Sequence, residues 1–285
     1  MDLQILLPEL KQKFGRYVTI DYILPNVIFY STVSKYLKSH SLDKIKVLDV
    51  GSSYGYGIYI MSKLCPNWTF TGIDINKTAI SVATDILRSD NINFEIVNMV
   101  DKKQVSQFIK KYGQFDAITC FEVFEHISPS NSQIFFENLN LLFKDSGYLF
   151  ISTPNQIVYD VFAFTEDRIN EVTLNKFLDI LREYFNILEV YGSYSHPKLM
   201  ISLFWKMGLV ARDGDRRVLM PIYKKLLRKL LRVIFEPSEF EPSELYLPIL
   251  KQTNYNTYLL KRLNKCKLNK KPENSNSVFV IAKKK

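Results

Sequence analysis

Val47-Leu-Asp-Val-Gly-Ser-Ser-Tyr-Gly-Tyr-Gly57 is the stretch that decides how this 285-residue chain folds. Lys46–Val50 is a short apolar run ending at Gly51, as expected of a strand buried on both faces. Gly51, Gly55 and Gly57 then crowd together in a chain that has only 10 glycines. Glycines in such a cluster allow tight turning and close approach of a ligand to the backbone. A helix is predicted over Tyr56–Leu64, stopped at Cys65–Pro66. Its first N–H groups have no partner within the helix and are free for a ligand.

The same strand–helix alternation continues outward. Strands are predicted at Thr69–Asp74, Asn93–Asn98, Phe115–Phe121 and Tyr148–Ser152. Helices are predicted at Lys77–Arg88, Lys102–Tyr112 and Asn131–Phe143. Five strands separated by helices of about ten residues argue for a doubly wound α/β sheet with right-handed crossovers. A helix over Thr173–Tyr184 and strands at Asn186–Tyr191 and Ser277–Ala282 complete it. Upstream, residues 1–44 read as helices, with the pattern of Ile20–Leu37 interrupted at Pro25. The organisation is therefore an N-terminal helical segment (1–44), a ligand-binding core (45–195), a helical insertion (196–276) and a final core strand with tail (277–285).

In a doubly wound sheet, ligands sit beyond the carboxyl ends of the strands, where the strand order switches. The Gly51–Gly57 loop falls there. Asp74 ends the next strand, 23 residues after Gly51, where a carboxylate can accept hydrogen bonds from both hydroxyls of a ribose. Nicotinamide enzymes share that arrangement, but no G-x-x-G spacing follows the first loop here.

In order along the chain, VLDVGSSYGYG, TGIDIN, FEIVNM, FDAITCFEVFEH and GYLFISTPN resemble the successive motifs of the class I S-adenosylmethionine (SAM)-dependent methyltransferases. The resemblance covers Lys46 to about Asn155 and the final two strands. It implies a seven-stranded, mostly parallel sheet with an antiparallel last strand, and SAM as cofactor. The cofactor residues it implies are Asp49, Gly51, Ser53 and Gly55 in the first loop, Asp74 as the ribose acid with Ile75 after it, Asn98 and Met99 beside the adenine, and Phe121. Ser53 stands where the family usually has Gly, and Asn98 where it usually has Asp. Asp49 would lie near the amino-acid part of SAM or orient the loop.

Methyl transfer needs acceptor, methyl and sulfur held in line, and a hydroxyl acceptor must also lose a proton. Glu122, Glu125 and His126 are the candidates for that task. If the stretch turned helically, they would share one face and could orient a base or bind a divalent cation such as Mg. The E-x-x-E-H pattern is similar to that of the ubiquinone-pathway O-methyltransferases. It is also similar to that of the small-RNA 2′-O-methyltransferases, which carry a further His downstream of STPN; here the later histidine is His196, beyond the sixth strand. The structural alternative has Glu122 contacting the ribose region and His126 capping the turn. Amino-methylating DNA enzymes carry an N-P-P-Y type motif where this chain has CFEVFEH. Cys120 lies in an apolar strand, where a thiol is usually inert.

Cys65, Cys120 and Cys266 form no CxxC pair, so neither a disulfide framework nor a zinc site is expected. The N-terminus does not read as a secretory signal, and a cytoplasmic protein, at most peripheral to a membrane, is expected. The net charge of +9 is uneven. Residues 1–195 carry 18 Lys+Arg against 22 Asp+Glu, whereas residues 196–285 carry 20 against 7. Within the insertion, Lys198–Val210 and Leu219–Phe235 read as helices. Lys224, Lys225, Arg228, Lys229 and Arg232 share one face of the second, opposite apolar residues. It suits a lid packed on the core, a contact with a membrane or other anionic surface, or a contact with RNA phosphates. Tyr191, Tyr194, His196 and Trp205 are candidates to line the acceptor pocket. EPSE occurs at 236–239 and again at 241–244, and the polar Asn269–Ser277 reads as a mobile loop.

The sequence thus supports O-methylation of a saccharide or other small hydroxylated acceptor. An RNA ribose 2′-O-methyltransferase and a non-catalytic SAM-binding or scaffold protein are the alternatives.

Overall fold

A computed structural model describes residues 3–17, 20–40, 42, 44–156, 168–195 and 267–285. Two helices, α1 (Leu3–Phe14) and α2 (Ile20–Ser39), precede a sheet of β1 (Lys46–Val50), β2 (Thr69–Asp74), β3 (Ile92–Ile96), β4 (Phe115–Phe121), β5 (Phe143–Pro154), β6 (Phe185–Ser195) and β7 (Ser275–Lys284). The connecting helices are α3 (Tyr56–Leu64), α4 (Lys77–Ile86), α5 (Lys102–Tyr112), α6 (Ser132–Leu141) and α7 (Leu174–Tyr184). The strand order is β3-β2-β1-β4-β5-β7-β6. Strands β1 to β5 pair in parallel, and β7 runs antiparallel between β5 and β6. This is the doubly wound, mostly parallel seven-stranded sheet with an antiparallel last strand read from the sequence.

Period-two alternation divides the strand residues between two apolar layers. Val47, Ala117, Phe121, Phe150, Phe279 and Ile281 pack on the side of α1, α2 and α3. Leu48, Val50, Ile118, Cys120, Leu149, Ile151 and Val280 pack on the side of α5, α6 and α7. Each fully buried aromatic or branched side chain contributes roughly 1.5–3 kcal/mol by leaving water. By the same alternation, Asp49 and Thr119 face the α2 layer; they are register partners on adjacent strands. Both are fully buried.

Several boundaries differ from the sequence reading for identifiable reasons. Helix α2 runs through Pro25; Pro25 lies near its start, where one missing N–H is tolerated because the following turns bury Val27, Phe29, Tyr30 and Val33. Strand β5 begins at Phe143 rather than Tyr148, because Phe143 pairs with Phe115 across a bulge. The expected mobile loop at Asn269–Ser277 is ordered instead. Asn269 and Gly192 exchange backbone hydrogen bonds of 2.8 and 2.9 Å, and Asn274 and Ser275 are buried. The expected helices and EPSE segments between 196 and 266 lie outside the described residues. Among the described residues, no helix is long and apolar enough to cross a membrane.

Helix α7 buries Phe177 and Leu181, and Thr173 caps it by accepting the Lys176 N–H at 3.4 Å. Thr173→Ala is expected to remove about 1 kcal/mol of stability, read as a lowered urea midpoint at unchanged slope.

Candidate functional site

The carboxyl ends of β1, β2 and β4 converge at the switch in strand order, and the loop after β1 is built tightly against them. The N–H groups of Gly51 and Ser52 both donate to the Ile73 carbonyl, at 2.8 and 3.0 Å. Gly51 has φ +74°, and Val123 from the turn after β4 occupies the space where its Cβ would sit. Any side chain there would push the two loops apart. Ser53 also adopts a left-handed conformation, φ +48°, which costs an L-residue roughly 1–2 kcal/mol. Its N–H is held in return by Asp74 Oδ2 at 2.8 Å.

Asp74 is the junction of the site. Its Oδ1 takes the Asn76 N–H at 2.8 Å, and Asn76 in turn caps α4 by accepting from Ala79 N–H. The carboxylate is only half-buried, so it keeps lone pairs for a ligand. Ile75, next to it, is 67% exposed, an apolar face beside a polar anchor. Gly55 faces inward instead, with Phe94 and Leu87 where a Cβ would go. Asn98 Oδ1 accepts the Val100 N–H at 3.1 Å, shaping the turn after β3. Met99 and Phe121 are core residues. Met99 packs in the α5–α7 layer, and Phe121 meets Phe29, Tyr30 and Phe279 with ring centroids 4.9–5.5 Å away.

Asp49 is completely buried. Thr119 Oγ1 donates to its Oδ1 at 2.6 Å, and Tyr30 Oη lies 3.0 Å from both carboxylate oxygens. Burial pushes its pKa up to about 7, against the lowering effect of those two hydrogen bonds. The residue thus sits at the end of β1 before the loop, without reaching the surface.

Beyond β4 the backbone does not turn as a regular helix. Glu122 takes φ +55°, and only Phe124–His126 form a single 3₁₀ turn. The helical face on which the three side chains were expected is therefore not formed. Glu122 Oε1 accepts from Ser152 Oγ at 2.9 Å, and its Oε2 lies 3.9 Å from Arg168. Glu125 is fully buried and accepts from Thr153 Oγ1 at 3.3 Å, with Oε1 unpartnered. His126 is 41% exposed, with Nε2 4.0 Å from Glu125 Oε1. Burial raises the pKa of both glutamates; Glu122 further raises that of Glu125, and Arg168 opposes both. Among the described residues no three His, Cys, Asp or Glu side chains are gathered to hold a metal ion. The Glu122–Glu125–His126 cation trio therefore does not form, because the left-handed Glu122 aims its carboxylate at Ser152 and Arg168.

Four of these residues escaped the sequence reading. Thr119 carried a usable signal, as a polar residue in an apolar strand on the same alternation as Asp49. Ser152 sits opposite Phe121 in the β4–β5 register. Tyr30 and Arg168 had no local signal. Arg168 reaches Glu122 because the neighbouring Ile169 and Asn170 N–H groups both donate to the Glu125 carbonyl, at 2.9 and 3.0 Å. Of the acceptor-pocket candidates, Tyr191 instead lies beside Glu189 and Lys270. His196, Trp205 and the Tyr194 side chain lie outside what is described.

A glycine loop at the strand switch, a half-buried acid ending β2 and an exposed apolar residue beside it meet at the carboxyl edge of the sheet. Comparison with known proteins places the chain in a family. A family described as "Methyltransferase domain" matches residues 41–190, and the chain belongs to it, within the class I SAM-dependent methyltransferases. The chain is 35% identical over 124 residues to the ubiquinone biosynthesis O-methyltransferase of Glaesserella parasuis, covering 42% of this chain and 49% of that one. It is 31% identical over 167 residues to the mitochondrial ubiquinone biosynthesis O-methyltransferase of Saccharomyces cerevisiae, covering 54% and 49%. The chain thus spans about half the length of these curated relatives. A SAM-dependent methyltransferase structure from Archaeoglobus fulgidus aligns with TM-score 0.48 and 17% identity over 90% of this chain and 94% of that one.

Proposed function

We propose that this chain transfers the methyl group of SAM to an oxygen atom of a small hydroxylated acceptor such as a saccharide. The observation that carries the reading is the Glu122 carboxylate just after β4, its pKa raised by burial and its two oxygens held by Ser152 and Arg168. The O-methyltransferase names of the two relatives support an oxygen acceptor.

The residues present fit SAM. Asp74 is half-buried at the end of β2, where its carboxylate can accept further hydrogen bonds, and Ile75 offers an exposed apolar face beside it. When bound, SAM supplies an electrophilic methyl group on a sulfonium sulfur. This chain's residues bind and orient it, and they remove the acceptor proton. Burial raises the pKa of Glu122, against the lowering effect of Arg168 and Ser152, which strengthens its carboxylate as a base. Ser152 and Arg168 fix its two oxygens. His126, half in solvent, gives the proton a way out to water. The side chains do not fit a cation, so no step runs through one.

Calorimetric titration with SAM, followed by a labelled methyl-transfer screen with and without chelator, tests the reading. Binding is expected, with label appearing as base-stable ethers on hydroxylated acceptors, undiminished by chelator. Absence of SAM binding would leave a scaffold. Label on RNA ribose alone would replace the small acceptor, and loss of transfer in chelator would overturn the metal-free base.

A further inference from the structure

The tyrosines of the Ser52–Tyr59 stretch are gripped from the N-terminal side. Tyr54 stacks on Tyr17, with centroids 5.2 Å apart and planes inclined by 22°. Tyr56 meets Phe14 edge-on, and its hydroxyl accepts from Asn26 Nδ2 at 3.5 Å. The Tyr59 hydroxyl donates to Glu9 at 2.7 Å. Tyr30 of α2 reaches deepest. Its ring lies where a Cβ on Gly57 would be, and it packs edge-on to Tyr56 and Phe121. Its hydroxyl straddles both oxygens of the buried Asp49.

We propose that Tyr30 is a positioning residue of the SAM site, holding the Asp49 carboxylate in place beneath the Gly51–Gly57 loop and so making α2 part of that site. The inference rests on the SAM reading above. SAM carries a sulfonium and an ammonium against one carboxylate. A fixed anion under its loop therefore favours the bound cofactor, and the effect is strong because the surroundings exclude water. Among the described residues, the groups acting on Asp49 are Tyr30 from α2, Thr119 from β4 and Asp74 from β2, with Cys120 of β4 on the other side of the sheet and Tyr56 of α3 acting on Tyr30. Tyr30 and Thr119 help Asp49 to ionise; burial and Asp74 oppose it. Gly57 is small because the Tyr30 ring must pass over it to reach the carboxylate.

The test is titration of SAM into the full chain from about pH 5.5 to 8.5, across the ionisation of Asp49. Wild-type affinity is expected to fall as pH drops through about 7. Tyr30→Phe keeps the ring over Gly57 but removes the hydrogen bond. It is expected to bind about tenfold more weakly at neutral pH, with its midpoint moved upward. In Asp49→Asn the affinity should lose this pH dependence, and adding Tyr30→Phe to it should change nothing further. A purely structural Tyr30 would lower affinity equally at every pH. Equal midpoints in wild type and Tyr30→Phe, with binding intact, would overturn the inference alone. If Tyr30→Phe does not fold, Thr119→Val removes the second donor and must move the midpoint in the same direction; an unmoved midpoint there is equally fatal. A wild type that binds no SAM at any pH would sink the functional reading and this inference with it.

Discussion

Asp74→Ala is expected to weaken SAM binding by at least roughly 100-fold. The carboxylate would accept both ribose hydroxyls, and hydrogen bonds to a charged group contribute roughly 1.5–3 kcal/mol each. Two of them amount to at least about 3 kcal/mol, or two decades in affinity. The residue also holds the loop before any ligand arrives, since its two oxygens fix the Ser53 and Asn76 N–H groups at 2.8 Å. Alanine therefore removes the ligand's partner and releases the left-handed Ser53 together. Asp74→Asn keeps one accepting oxygen and should fall between the two. Calorimetry on the three proteins is the measurement. An alanine variant within threefold of wild type would mean that the ribose lies elsewhere.

Asp49→Asn is expected to stabilise the ligand-free protein in alkaline solution while harming cofactor binding. Burial raises the folded-state pKa of Asp49 from 3.8 to about 7. The folded protein therefore holds this proton more tightly than the unfolded chain does. The stabilisation is fully present below about pH 4 and is lost as pH rises through about 7. Three pH units correspond to a difference on the order of 4 kcal/mol between the two ends of that window. Asparagine stays neutral throughout, and its amide nitrogen can donate to the Tyr30 or Thr119 hydroxyl oxygen. The melting temperatures of variant and wild type should be close near pH 4, diverge from there to about pH 7 and stay apart above it, with the variant higher by roughly 10 °C. A constant difference across that range would show that folding does not raise the pKa of Asp49. Keeping so unfavourable a carboxylate is understandable if its charge serves the cofactor.

The sheet was legible in the sequence because its strands are short apolar runs punctuated by glycine, proline and capping residues. Thr69–Asp74 and Phe115–Phe121 run as read. Each depends on alternation and turn chemistry within a dozen residues, which local physics decides. Strand β5 was read too short because its first residues, Phe143–Gly147, are drawn into pairing by β4 across a bulge, which no local pattern encodes. Asn269–Ser277 read as a loop on composition alone, and Gly192 gave it a partner from β6.

The sequence by itself determined that Asp49, Gly51, Asp74 and the turn at Glu122–His126 gather at the carboxyl edge of the sheet, since motif order along successive strands places such residues there. Only the tertiary structure decided what those residues do to one another. Chain separation hides the Tyr30 hydroxyl over Asp49 and Arg168 beside Glu122, both set by how helices and loops pack on the finished sheet. The left-handed Glu122, which breaks up the metal trio, answers to the packing of Val123 against Gly51 and to the Ser152 hydrogen bond. Periodicity fixes which face a side chain takes; packing between distant segments fixes its partner, its charge and its chemistry.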